Sequence, residues 1–244
     1  MMNKSFILES SPHLKDEDSV PKIMYAVVIS LMPAVFASFY FFQLEALALF
    51  LACLVACLVT EALFLWIRKK PIHSLWDGSA IITGLLLAMT LPPYLPLDMA
   101  VIGAIVSIAL GKQVFGGLGH NIFNPALVGR AFLQTAFPVA MTTWIPPATL
   151  TIDTATFATP LGNLKFQEAI AQGILTPIQD LFWGNVGGSL GETSAVALFV
   201  GAIYLFFKRT IDWRIPLGII CSLTVFTGVY WLANPNKYAS PLFH

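Results

Sequence analysis

Charge is what this sequence has least of. Only 11% of its 244 residues are Asp, Glu, Lys or Arg, less than half the roughly 25% usual in soluble globular domains, and that excludes a water-soluble fold of this size. Neither sign is in excess: thirteen basic residues face thirteen acidic ones, whereas a protein that holds nucleic acid by its phosphates needs a basic surplus. Cysteine is scarce. Cys53, Cys57 and Cys221 lie inside apolar runs with no metal-ligand cluster around them, which argues against a disulfide framework and for small apolar fillers, with Cys53 and Cys57 on one helix face. No Gly-x-Gly-x-x-Gly follows a strand-like run, so a dinucleotide fold is not expected. The first twenty residues carry Glu9, Lys15, Asp16, Glu17 and Asp18 where a cleavable signal has its apolar core, so the N-terminus is expected to stay in the cytoplasm.

What fills the chain instead is hydrocarbon. Hydrophobic residues make up 57% of it and the mean hydropathy is +0.78, the signature of an all-α polytopic membrane protein. Seven apolar segments, at roughly 22–42, 45–67, 78–95, 97–112, 124–141, 193–208 and 213–233, are long enough, alone or with a short half-helix, to cross a layer that needs about 20 helical residues. Two of them are interrupted, one by Gly84 and the Leu91-to-Pro96 stretch, the other by Asn124-Pro125 at its start and Pro138 near its end. Broken helices persist in a membrane only where protein or a cavity satisfies the freed backbone, so the breaks predict a site.

The distribution of Lys and Arg predicts the orientation. With the N-terminus inside, eleven of the thirteen basic residues, including Arg68, Lys69, Lys70, Lys112, Arg130, Lys208, Arg209 and Arg214, fall on the cytoplasmic side, as short loops of membrane proteins prefer. Residues 142–192 then form an external loop, with a surface helix expected near Lys165 to Gln172 and an aromatic patch, Leu181-Phe182-Trp183, suited to the headgroup boundary. This organises the chain as a cytoplasmic segment (1–21), a five-span half (22–141), the external loop (142–192) and two further spans (193–244). The loop is rich in Thr, and Asp153-Thr154-Ala155-Thr156-Phe157-Ala158-Thr159 places several hydroxyls within reach of water. Read alone, this stretch is equally an ordinary extended loop.

Ionisable groups at membrane depth are costly and mark pathways or partner sites. Asp77 and Glu192 each open an apolar segment beside small residues, as Asp77-Gly78-Ser79-Ala80 and Glu192-Thr193-Ser194-Ala195, from opposite sides, a weak sign of inverted halves; helix capping explains the same residues. Lys112, Asn121, Asn124 and Arg130 surround a Gly-rich loop that permits close backbone approach, and they are candidates for an ion path or a second cofactor. Positive-inside anchoring is the plainer account of Lys112 and Arg130, and reaching the interface the plainer account of Glu45 and Glu61.

Several motifs in order carry a family resemblance over nearly the whole chain: Ser10-Ser11-Pro12-His13, Asp77-Gly78-Ser79-Ala80-Ile81-Ile82-Thr83-Gly84, Gly111-Lys112, Gly116 through Ala126, Gly129-Arg130-Ala131-Phe132, and Gly187 through Ser194. The chain resembles the D subunit of the Rnf-type electron-transport complex, itself similar to the B subunit of the sodium-translocating NADH:quinone reductase. In that family an Asp-x-x-Ser/Thr-x-Ala-Thr motif accepts FMN as a phosphoester on its last Thr, and Asp153, Thr156, Ala158 and Thr159 fill those places here. The position before Ala158, commonly Gly in the family, is Phe157, which bears on access for a flavin transferase. The resemblance implies a subunit, without an active site of its own, of a redox-driven ion pump in the bacterial inner membrane. It would relay electrons between partner subunits that couple ferredoxin and NAD to Na+ or H+ movement, with covalent FMN on Thr159 at the external face and room for a second noncovalent flavin such as riboflavin; the Gly-rich loop itself is a candidate for a noncovalent flavin or quinone, or for ion-path residues. The quinone-reductase branch is the alternative, and a flavin-free transporter or scaffold the competing class. About ten spans are expected from the family against the seven counted, so the second half of the repeat is expected to be shortened.

Overall fold

A backbone placed in hydrocarbon has to satisfy its own N–H and C=O groups, so long apolar runs fold as helices. The computed structural model describes residues 19–145, 147, 159–166, 176–192, 194–235 and 238–243, and among them helices dominate and no strand forms. The all-α expectation is met.

Helix α1 (Val20–Ile67, 48 residues) breaks at Gln43, where φ is 51° and ψ is −127°. The two arms are each about 35 Å long at 1.5 Å per residue, enough to cross a hydrocarbon layer, and they match the first two expected spans. Polar residues within α1 are satisfied locally: Ser30 Oγ donates to Val27 O at 2.7 Å and Thr60 Oγ1 to Ala56 O at 2.7 Å. The helix stops at Arg68 and Lys69, the latter in the left-handed region (φ 54°), with Lys70 N–H closing back on Leu65 O at 3.0 Å. This is a Schellman-type ending whose basic side chains also oppose the negative helix end.

A 3-10 turn (Ile72–Asp77) leads into α2 (Ser79–Met89), which is 11 residues long. Gly84 does not break α2. It sits mid-helix, where an added Cβ would lie 3.0 Å from Leu54 Cα, so its missing side chain lets α2 press against the α1 backbone. The break comes at the prolines: after Met89 the chain turns through buried Leu91 and Pro92 before α3 (Leu97–Ile108) begins. α3 runs on into a π-helical turn, Ala109–Gln113, a form that frequently marks functional positions. The loop that follows turns on Gly116, Gly117 and Gly119, all at positive φ. Asn124 then caps α4 (Pro125–Ala136), its Oδ1 accepting from Ala126 N at 3.0 Å, and α5 (Pro138–Thr142) restarts at Pro138. The expected proline-bounded interruptions are therefore present.

In the loop region, α6 (Pro160–Phe166) meets the expected surface helix (165–172) only at residues 165 and 166, the rest lying outside the described residues, and α7 (Ile178–Trp183) carries the aromatic patch with Phe182 and Trp183 exposed. Ser194 caps α8 (Ala195–Phe207), and α9 (Arg214–Ala233) precedes a last 3-10 turn, Pro241–Phe243. α1 is the organiser: α2, α3 and α8 pack on it, and α4 packs on α3. The core runs through Phe42, Leu49, Cys53, Cys57, Leu87, Ala104, Ile108 and Leu133. Among the described residues only α1 and α9 are long and apolar enough to cross a membrane; α2, α3, α4 and α8 span 11 to 13 residues each. The count of seven is thus seen in full only for the two arms of α1 and for α9.

Candidate functional site

Two clefts lie at the two ends of α2. Eleven residues at 1.5 Å rise make that helix about 16 Å long, and each end is tied into a different polar arrangement.

At its C-terminal end, the broken backbone of α2 is completed by a distant turn. Leu190 N–H donates to Leu91 O at 3.1 Å, Gly191 N–H donates to Met89 O at 2.8 Å, and Ser38 Oγ donates to Leu190 O at 2.6 Å. The Gly187-to-Glu192 turn is thereby fixed against α1 and α2. A Cβ on Gly191 would meet Met89 at 2.6 Å, so only glycine lets the turn come this close. This turn forms one wall of a cleft of about 140 Å³ whose lining includes Thr159, Leu181, Gly187, Gly188, Glu192 and Phe243. Thr159 starts α6. Its Oγ1 accepts from Gly162 N–H at 3.1 Å and its carbonyl accepts from Asn163 N–H at 2.9 Å, which orders the residue and leaves its hydroxyl proton uncommitted by that bond. Glu192 is exposed beside it, accepting from Ser189 Oγ at 2.9 Å. The capping account therefore fails for Glu192, since Ser194 caps α8. It holds for Asp77, whose Oδ1 accepts from Ser79 N–H at 2.8 Å.

At the N-terminal end of α2 lies a buried charge cluster. Lys112, on the π turn, donates from Nζ to Glu61 Oε1 and to Ser79 Oγ, both at 2.5 Å, and Gln113 Nε2 donates to the same Glu61 oxygen at 3.2 Å. Ser79 Oγ in turn donates to Asp77 Oδ1. Lys112 and Glu61 are 2% and 1% exposed, and Glu61 Oε2 has no hydrogen-bond partner among the described residues. Both are therefore buried rather than at an interface, because the kinked α1 and the π turn bring them face to face inside the bundle. Around them Arg68 Nη1 donates to Gln113 O at 2.9 Å and Lys70 Nζ to Gly116 O at 3.0 Å, so the basic end of α1 closes over the cluster. Beside it opens a second cleft, of about 390 Å³, whose lining includes Ser79, Thr83, Leu86, Lys112, Asn121 and Asn124.

The residues singled out in the sequence thus separate. Asp77, Lys112, Asn121 and Asn124 gather at the second cleft, Asp77 through Ser79; Thr159 and Glu192 share the first; Arg130, half-buried on α4, lines neither. Asp153, Thr156 and Ala158 lie outside the described residues. Sequence reasoning missed Glu61 and Gln113. A signal was present for Glu61: the Cys53–Cys57 face, taken one more turn by four residues, arrives at it.

An all-helical, apolar bundle with interrupted helices and polar clefts at the breaks defines a polytopic membrane protein with internal sites. The chain belongs to the NQR2, RnfD, RnfE family, whose profile matches residues 7–244. It is 42% identical, over 98% of its length and 73% of the relative's, to the D subunit of the proton-translocating ferredoxin:NAD(+) oxidoreductase complex of Clostridium ljungdahlii. It is 43% identical to the D subunit of the Na(+)-translocating ferredoxin:NAD(+) oxidoreductase complex of Acetobacterium woodii, over 93% and 70% of the two chains. It is 38% identical to the D subunit of the ion-translocating oxidoreductase complex of Rhodobacter capsulatus, over 96% and 73%.

Proposed function

We propose that this chain is the D-type membrane component of an ion-translocating ferredoxin:NAD oxidoreductase of the bacterial inner membrane, carrying FMN as a phosphoester on Thr159. Its partners are the other subunits of that complex and a flavin transferase. Family membership over residues 7–244 supports the assembly. The observation that carries the cofactor reading is Thr159 itself: an ordered hydroxyl on the rim of a cleft walled by Gly187 and Gly188, which add no side chain to obstruct a tethered ring. A threonine hydroxyl is a weak nucleophile, so the activating base and metal belong to the transferase, and this chain has only to present the oxygen. Once attached, the flavin supplies one- and two-electron transfer, while Thr159 tethers it, Leu181 and Phe243 offer apolar surface, and Glu192 offers a hydrogen-bond acceptor. The second cleft, with apolar walls and amide side chains from Asn121 and Asn124, suits a noncovalent flavin. That the Thr159 cleft and the basic cluster of Arg68, Lys70 and Lys112 sit at opposite ends of α2 supports an external Thr159 and a cytoplasmic N-terminus.

The test is in-gel flavin fluorescence with peptide mass on the wild-type chain and on Thr159→Ala, each produced with a flavin transferase. Fluorescence and an FMN-mass adduct on the Thr159 peptide, both lost in the variant, are expected. An unmodified wild-type peptide alongside a transferase that modifies a control substrate would move the chain to the transporter or scaffold class.

A further inference from the structure

The second cleft contains one feature that capping and packing do not use. Its other hydroxyl donors are committed to the chain: Ser79 Oγ donates to Asp77 Oδ1, and Thr83 Oγ1 donates to Ser79 O at 2.9 Å. Its amides are partly committed as well, since Asn124 Oδ1 caps α4 and Asn121 Nδ2 donates to Phe123 O at 3.0 Å. Lys112 is different. An ammonium has three N–H donors; two are taken, by Glu61 and Ser79, and no described residue takes the third. Lys112 is also the one charged side chain among the described residues that line the cleft. Burying an ammonium is costly, and Glu61, which does not line the cleft, supplies the opposite charge, with Asp77 a further carboxylate reached through Ser79. The pair therefore holds a positive charge steady in a wall that otherwise consists of apolar side chains and self-bonded polar ones.

We propose that Lys112 is a specificity-determining residue of this cleft, favouring the electron-rich reduced form of a bound flavin ring over the oxidised form, with Glu61 and Ser79 as the residues that position it. This rests on the reading of the cleft as a flavin pocket. Reduction places negative charge on the N1–C2 carbonyl edge of an isoalloxazine ring, and a charge-assisted hydrogen bond from an ammonium is stronger than one to a neutral carbonyl. In a site with few other polar groups the difference is weakly screened. A ligand form bound tenfold more tightly after reduction has its two-electron potential raised by about 30 mV.

The experiment is calorimetric titration of the full chain, produced without a flavin transferase so that Thr159 stays unmodified, with riboflavin in its oxidised form and, anaerobically, in its reduced form. Wild type is expected to bind the reduced form at least tenfold more tightly. Lys112→Met is expected to lose that preference, and Lys112→Arg to retain part of it. Because Lys112→Met leaves Glu61 buried without its partner, the double variant Glu61→Gln/Lys112→Met removes both charges and is expected to show the same loss of preference in a folded chain. Equal weakening of both forms in the double variant, or an undiminished preference, would overturn the role of Lys112. Wild type that binds neither form would overturn the flavin reading of the cleft itself, and this inference with it.

Discussion

At the scale of single residues, the buried Glu61–Lys112 pair and the half-buried Thr159 pose opposite problems for a reader of sequence. Thr159, the proposed acceptor, stands out in the sequence because such a residue is recognised by its neighbours along the chain. Asp153, Thr156 and Ala158 signal it locally, with no need to know what lies across the fold. Glu61 is illegible for the converse reason. Its role depends on Lys112, 51 positions away, and a carboxylate shortly before Arg68-Lys69-Lys70 looks like one more interfacial charge. Only the π turn, which rotates Lys112 inward, distinguishes the two cases. The energetics follow from burial. Removing one partner strands a charge at 1% or 2% exposure, so Lys112→Ala and Glu61→Ala are each expected to cost about 3–5 kcal/mol. Glu61→Gln/Lys112→Met is expected to cost much less than the sum of its two single changes. Thermal midpoints in detergent check this, and additive losses would mean that the pair does not hold the bundle together.

At the scale of elements, α2 is the joint of the molecule. It is too short to cross a membrane, the carbonyls of its last residue, Met89, and of Leu91 just beyond it are satisfied by the Gly187-to-Glu192 turn, and its N-terminus carries the Asp77–Ser79–Lys112 chain. This dependence gives Gly191 a functional consequence. Gly191→Ala drives a Cβ to 2.6 Å from Met89, an overpacking worth about 1–3 kcal/mol, and it displaces the turn that walls the Thr159 cleft. Lower FMN attachment at Thr159 is expected, read by in-gel fluorescence at equal protein, whereas Gly218→Ala, with nothing within 4 Å of its added Cβ, is expected to leave attachment unchanged. Equal yields from the two variants would separate the turn from the acceptor site. The interruption of α2 was legible in Leu91-Pro92-Pro93, because proline cannot donate and clashes with the preceding turn. What completes the break was not, since backbone pairing between Leu91 and Leu190 leaves no mark in side-chain chemistry. Gly84 misled for a related reason: a glycine inside an apolar run reads as a break, while here it is the contact that seats α2 on Leu54.

At the scale of the whole molecule, α1 through α5 with α8 form a packed unit, and α9 stands apart from it. No residue of α9 is buried, and its principal neighbour among the described residues is the short turn Pro241–Phe243. Its composition explains this. Ile215, Leu217, Ile220, Leu223 and Val225 are exposed around the helix rather than along one stripe, and a helix apolar on all sides belongs in hydrocarbon or under other protein, not at a water boundary. α1 differs, with Leu49, Cys53 and Cys57 covered and Phe36, Tyr40, Leu44, Val55 and Val59 exposed. If lipid is the solvent of the exposed surfaces, a carbene-generating probe partitioned into the bilayer should insert along α9 on every face, and in α1 only at the exposed set. Peptide mass spectrometry reads the pattern. Insertion at Leu49 or Cys53 would contradict the packing of α2 and α3 on α1, and protection along one face of α9 would show that protein rather than lipid covers it. The two outcomes bear on the pump differently. A lipid-bathed α9 presents no face to another subunit, whereas a covered α9 makes the outer wall of the chain part of an interface with its partners.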